Sequence, residues 1–255
     1  TVIAQAVSAL LCLLKLRRMA DIFDLKPCYL KMEKRHSLDI IRLGLPSGVT
    51  QAIFSMAMVV VQSLTNSFGE LVIAANVIIM RVDGFAMMPN FSFGTAMTTY
   101  AGQNVGAGRY DRVEQGAKQG TLIAIGTSAV ITGLIVLFGR HLMAIFTDTP
   151  ELVVMSASMM NILAVGYIAM AVTQSLSGVM RGAGDTMTPM WISLVTTVII
   201  RVPVAYGLVY LSRTAELPAG RYEGLFISLL VSWVLGAILT YIFYARGKWK
   251  TKGLK

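Results

Sequence analysis

Hydrophobic positions along the chain gather into long apolar runs separated by short polar stretches. A helix needs roughly 20 apolar residues to cross about 30 Å of hydrocarbon. Six runs reach that length, at residues 46–68, 71–98, 120–138, 152–179, 187–211 and 224–244. A seventh, residues 1–16, is apolar from its first residue, Thr1. The pattern predicts an all-α integral membrane protein with one six-helix lobe, at 46–245, preceded by the end of another transmembrane helix. The chain is expected to begin inside a longer protein.

One sizeable polar stretch, 17–45, carries Pro27 and mixed charge. It reads as a linker on the membrane surface. Ser37 can cap a short helix there, with Leu38, Ile41 and Leu45 on one face. That predicts an interfacial helix leading into Pro46. Residues 246–255 form a basic tail.

Composition agrees with a membrane protein and excludes other classes. The chain is 55% apolar and 14% charged over 255 residues, with a mean hydropathy of +0.67. A soluble domain is about 25% charged. Disorder requires low hydrophobicity. Two cysteines, Cys12 and Cys28, cannot build a disulfide framework. The net charge of +9 would suggest nucleic acid in a soluble protein. Here the location of the positives matters more. If the truncated helix ends in the cytoplasm, 17 of the 22 Lys and Arg fall on the cytoplasmic side and three on the other. Arg81 and Arg201 fall inside spans. The basic excess therefore reports orientation, with a cytoplasmic C-terminus and no nucleic-acid partner, and both cysteines are expected to be reduced.

Polar residues inside the spans are not scattered. Gln51, Ser55, Gln62 and Asn66 lie at about 0°, 40°, 20° and 60° around one helix. Unsatisfied polar groups are costly in lipid, so this face must look at other helices or at water. It can serve as interhelical hydrogen-bond glue or as the wall of a solute cavity. Asn76, Asp83, Met87, Asn90 and Gly94 share a face of the next span, within about 40° of Asn76. Asp83 is the one carboxylate well inside a span. It can titrate, bind a cation, or form a structural pair. Arg81 lies on the opposite side of its helix; Arg201 is the possible partner. Pro89 interrupts this helix, and Thr196 and Thr197 can satisfy backbone groups freed near Pro203. Asn161 and Gln174 are the notable polar residues of the fourth span. Methionine adapts to irregular surfaces, and many of the 16 lie in spans.

Signals for catalysis are weak. His36 and His141 stand apart from any carboxylate–nucleophile set. No metal-ligand spacing and no phosphate-binding loop occur. No catalytic residue, metal or cofactor is assigned.

Two glycine turns carry a more specific signal. The stretch Tyr100-Ala101-Gly102-Gln103-Asn104-Val105-Gly106-Ala107-Gly108, with Arg112, resembles the "GQN-GAG…R" turn of the multidrug and toxic compound extrusion (MATE) family. Met180-Arg181-Gly182-Ala183-Gly184-Asp185-Thr186, followed by Pro189, is similar to that family's "LRGAGDT…P" turn. Gly44-Leu45-Pro46-Ser47 looks like the entry to its seventh helix, and Arg201-Val202-Pro203 also fits. The resemblance covers about 37–245.

It implies helices 7 to 12 of a twelve-helix, two-lobe antiporter in the bacterial cytoplasmic membrane. Such a protein exports cationic or amphipathic drugs in exchange for protons or sodium ions, by alternating access. Its partners would be organic cations, the bilayer and the N-terminal lobe of the same protein. Gln51, Ser55, Gln62, Asn66, Asn76, Asp83, Met87 and Asn90 would line the lobe-facing cavity, with Asp83 as coupling-ion candidate. Gly102, Gly106, Gly108, Arg181, Gly182, Gly184 and Asp185 would serve as structural turns. The carboxylates of the sodium-coupled branch have no counterpart at 51–55 or 170–174. Another branch carries its proton-sensitive aspartate in the first lobe. Two alternatives stand beside this reading. One is a flippase of the same superfamily for lipid-linked sugars or peptidoglycan precursors. The other is a membrane-embedded enzyme.

Overall fold

The computed structural model describes residues 2–18, 33–215 and 217–251, without the side chain of Arg35. Pro27, Cys28, Lys252 and Lys255 lie outside the described residues. The chain divides into two compact units, Thr1–Arg42 and Leu43–Lys255.

In the first unit, α1 (Val2–Arg18) ends in Lys15, Arg17 and Arg18, which suits the negative end of a helix dipole. None of its side chains is buried. Helix α2 (Lys34–Asn66) starts in this unit and continues into the second. Ser37 donates its backbone N–H to the Glu33 carbonyl at 2.9 Å. The position expected to cap a short helix is therefore inside a long one, and Pro46 is inside it too.

The second unit adds α3 (Glu70–Gly106), α4 (Tyr110–Ala144), α5 (Pro150–Ala164) and α6 (Gly166–Gly182). Helices α7 (Met187–Leu194) and α8 (Arg201–Leu211) are joined by a π-helical turn, Val195–Ile200. Helix α9 (Glu223–Ala245) is followed by a 3₁₀ turn, Lys248–Thr251. Among the described residues, five helices are long and apolar enough to cross a membrane. Helices α5 and α6 together make a sixth span, bent by 44°. These six coincide with the six predicted runs, although their ends reach further into polar sequence. Large apolar side chains such as Val59, Phe85, Leu137 and Leu211 stay exposed, as suits lipid-facing positions.

Helix α6 is the centre of this unit, packed against α3, α4 and α9. It buries Tyr167, Met170, Leu176, Val179 and Met180. Where it crosses α3 the two backbones touch. A Cβ on Gly178 would collide with the Gly94 carbonyl, and one on Gly182 with the Thr98 carbonyl. Gly178 and Gly182 are spaced four apart, as in other small-residue crossings of membrane helices. A Cβ on Gly94 would come within 3.2 Å of the Gln174 carbonyl. Gly182 thus serves the crossing rather than the turn that its motif suggests, whereas a Cβ on Gly102 would make only an ordinary contact with the Gly182 carbonyl.

The turns rest on Gly108 and Gly184, with φ of 70° and 89°. Each ends a helix by the same pair of hydrogen bonds. Gly108 N–H donates to Val105 O and Arg109 N–H to Asn104 O; Gly184 N–H donates to Arg181 O and Asp185 N–H to Met180 O. This is a Schellman motif, in which a left-handed residue that glycine adopts without steric cost satisfies the last carbonyls. Asp185 then caps α7, accepting from the Thr188 N–H at 3.2 Å and hydroxyl at 2.7 Å. Pro189 sits in that helix's first turn, where a missing N–H is harmless.

Two breaks in the spans have local causes. At the α5–α6 bend, Thr132 Oγ1 donates to the Ala164 carbonyl at 2.7 Å. The absence of a side chain at Gly166 admits the Trp233 ring. In the π turn, the Arg201 N–H reaches back five residues to the Thr196 carbonyl. That carbonyl also accepts Ser232 Oγ from α9 at 2.8 Å. Thr196 Oγ1 itself donates to the Ile192 carbonyl at 2.8 Å. A polar turn buried among helices is tolerated because hydroxyls supply partners that lipid cannot.

Candidate functional site

A cavity of about 520 Å³ opens in the second unit, between the C-terminal part of α2, the first half of α3, α8 and α9. Gln62, Asn66, Asn76 and Asp83 line it, four of the residues that the helical faces single out. Gln62 Nε2 donates to Asn66 Oδ1 at 2.9 Å, so these two amides are partly satisfied within α2. The remaining wall is apolar, from Ile79, Leu163, Leu225 and Phe226 among others.

Asp83 is half-buried. Its Oδ1 accepts the phenol of Tyr167 at 2.8 Å. Tyr167 is fully buried and stacks obliquely on Trp233, ring centres 5.7 Å apart. Tyr167 stands at the head of α6, and Trp233 of α9 packs there because Gly166 leaves room for the indole. The carboxylate is therefore held by a ring that cannot move freely. Arg201 lines the same cavity. It is 5% exposed, and no ion pair joins it, Asp83 or Arg181 to another described residue. The possible Asp83–Arg201 pair is thus a shared cavity rather than a salt bridge among the described residues. Arg81 is exposed on its own helix.

The remaining predicted site residues go elsewhere. Met87 and Asn90 are buried in the core and absent from the cavity wall. Asn90 Nδ2 donates to the Tyr167 carbonyl at 3.3 Å, and its Oδ1 accepts Ser128 Oγ at 2.8 Å. The face of α3 splits where it meets α6: Asn76 and Asp83 see the cavity, while Met87, Asn90 and Gly94 pack. Ser55 is exposed and donates to the Gln51 carbonyl at 3.1 Å. Gln51 lines a second cavity of about 290 Å³, together with Gln174, Arg181 and Arg201. Arg201 borders both cavities.

Sequence reasoning missed Tyr167 and placed Arg181 among the turns. Arg181 follows Gln174 by seven residues, two helical turns, so both share a face. That spacing is the signal for it. Tyr167 offers none, since a tyrosine in an apolar run reads as core. Among the described residues, no group of three His, Cys, Asp or Glu could hold a metal ion.

The chain resembles known proteins in sequence and in fold. It is 26% identical over 224 residues to the probable multidrug resistance protein YoeA of Bacillus subtilis, covering 88% of this chain and 47% of that one. It is 25% identical over 216 residues to the probable multidrug resistance protein NorM of Thermotoga maritima, covering 85% and 45%. The chain spans about half the length of these curated relatives. A crystal structure of a MATE protein in the straight conformation superposes with a TM-score of 0.79 at 20% identity, over 90% of this chain and 50% of that one. A MOP superfamily transporter from Pyrococcus furiosus superposes equally, at 0.79 and 21%, over 88% and 49%. The MatE family model matches residues 46–207, from the proline that opens the first full span through the π turn and Arg201. With both glycine turns inside that match, the chain belongs to the MatE family.

Proposed function

We propose that this chain forms one lobe of a secondary active multidrug exporter, which exchanges cationic or amphipathic compounds for protons or sodium ions by alternating access. The membrane is the bacterial cytoplasmic membrane, with the C-terminus in the cytoplasm, and the chain acts as a carrier, with no catalytic step. The observation that carries this reading is Asp83, a half-buried carboxylate on the wall of a largely apolar cavity. An ionisable group held inside a membrane span is a natural place for a coupling ion. Bound to the Tyr167 phenol, the carboxylate keeps a fixed position while it gains or loses a cation. The apolar wall suits the body of an amphipathic solute, and the amides of Gln62, Asn66 and Asn76 supply orientation. The multidrug resistance names of its relatives support the same reading. The two lobes of such carriers rock about a site at their interface.

The test is export in cells lacking their own pumps. Asp83→Asn, expressed to the same level, is expected to lose the dependence of export on the proton or sodium gradient. If export and its ion dependence are both intact in that variant, Asp83 is a structural hydrogen-bond acceptor and the reading fails.

A further inference from the structure

The second cavity has a chemistry that export of cations does not use. About 290 Å³ in volume, it is walled by α2, α3, α6, α7, the π turn, α8 and α9. Two guanidinium-bearing side chains, Arg181 and Arg201, line it, and no carboxylate does. Arg201 is buried, and its Nε has no hydrogen-bond partner. Arg181 is half-buried at the end of α6, with one terminal nitrogen lying over Gly94. Neither arginine has an ion-pair partner among the described residues. Gln51 and Gln174 line it too, each with an amide NH₂ that can donate.

Burying an unpaired guanidinium is expensive, and a second one on the same wall compounds the cost through repulsion. Such an arrangement is retained where an anion occupies the site for part of the protein's cycle. Arginine presents a planar fork that matches carboxylate and phosphate. We propose that this cavity binds an anionic group, a carboxylate or a phosphate, between Arg181 and Arg201. The aromatic rings of Phe91 and Trp233 on the same wall suit a ligand whose anionic end is joined to a flat apolar body. The site lies beside the Asp83 cavity and shares Arg201 with it. An acidic solute in this cavity and a cation at Asp83 would therefore act on the same arginine.

This inference extends the transport reading to acidic ligands but is tested by binding alone, so failure of export does not decide it. The protein is reconstituted in nanodiscs of phosphatidylcholine and titrated calorimetrically with benzoate, phenyl phosphate and uncharged benzyl alcohol. Benzoate or phenyl phosphate is expected to bind at least about tenfold more tightly than benzyl alcohol, the effect of losing a charge-assisted hydrogen bond. Arg201→Gln and Arg181→Gln are each expected to abolish that preference, and Arg181→Lys to retain part of it. Because Arg201→Gln removes a buried side chain, its elution on size exclusion is checked, and the half-buried Arg181 variants carry the test if it misfolds. Equal binding of acid and alcohol, or a preference unchanged in both glutamine variants, overturns the proposal. Nanodiscs containing phosphatidylglycerol separate the two sources of the anion. Loss of benzoate binding there, restored in neither variant, assigns the site to a lipid phosphate, and unchanged binding assigns it to a soluble solute.

Discussion

Gly178 and Gly182 stand where α6 and α3 meet backbone to backbone, and a single methyl group has no room there. Gly178→Leu is expected to destabilise the protein by about 1–3 kcal/mol or more, as overpacked cores are. The check is the midpoint of thermal unfolding in detergent. Gly106, which has open space around it, is the control: Gly106→Ala should leave that midpoint nearly unchanged. Asn90 shows the opposite use of a small polar residue. It bonds both Ser128 and the Tyr167 backbone, so its amide holds α4 and α6 to α3. By helical position alone it is indistinguishable from Asp83, because both lie on one face. A face says which residues look inward; the neighbour on the other side decides whether they meet a cavity or a helix. Arg201 was legible as a rare charge within a span. Its unsatisfied Nε was not, since that depends on how the neighbouring helices close around it.

The spans were legible because lipid requires long apolar runs, and all six appear where the runs predict them. Their ends were not, because Tyr110–Lys118 is polar yet helical, outside the hydrocarbon where no apolar rule applies. Breaks inside spans were also invisible. The bend at Val165 and the π turn at Val195–Ile200 lie in continuous apolar sequence, and at each a hydroxyl on another helix donates to a backbone carbonyl of the break. The turn motif singled out Asp185 without saying what it bonds, and the structure gives it the side-chain bonds that cap α7. Asp185→Ala is expected to cost about 1 kcal/mol, the usual loss of a capping side chain. Chemical unfolding of the reconstituted protein measures it, with Thr186→Ala, whose side chain makes no cap bond, as the near-neutral comparison.

At the scale of the molecule, the excess of Lys and Arg on one side of the spans makes an orientation that can be tested directly. With Cys12 and Cys28 replaced by serine, a cysteine at Asp148 is expected to react with an impermeant maleimide on intact cells. One at Gly108 is expected to react only after lysis. Reversal of that pattern would put the basic tail outside. The tail is itself held to the bundle. Trp249 stacks on Tyr244 with ring centres 5.5 Å apart, and Lys250 pairs with Glu114 of α4. The π turn sets where the side chain of Arg201 points. A π turn holds one residue more than the α-helix it interrupts, so everything after it is rotated by about 100°. The position of Arg201 is thereby a matter of counting. Removing one residue between Val195 and Ile200 would leave the charge and composition of α8 as they are, yet swing its guanidinium round the helix and out of both cavities. A length change of one residue, harmless in a loop, would act here as the loss of a cation.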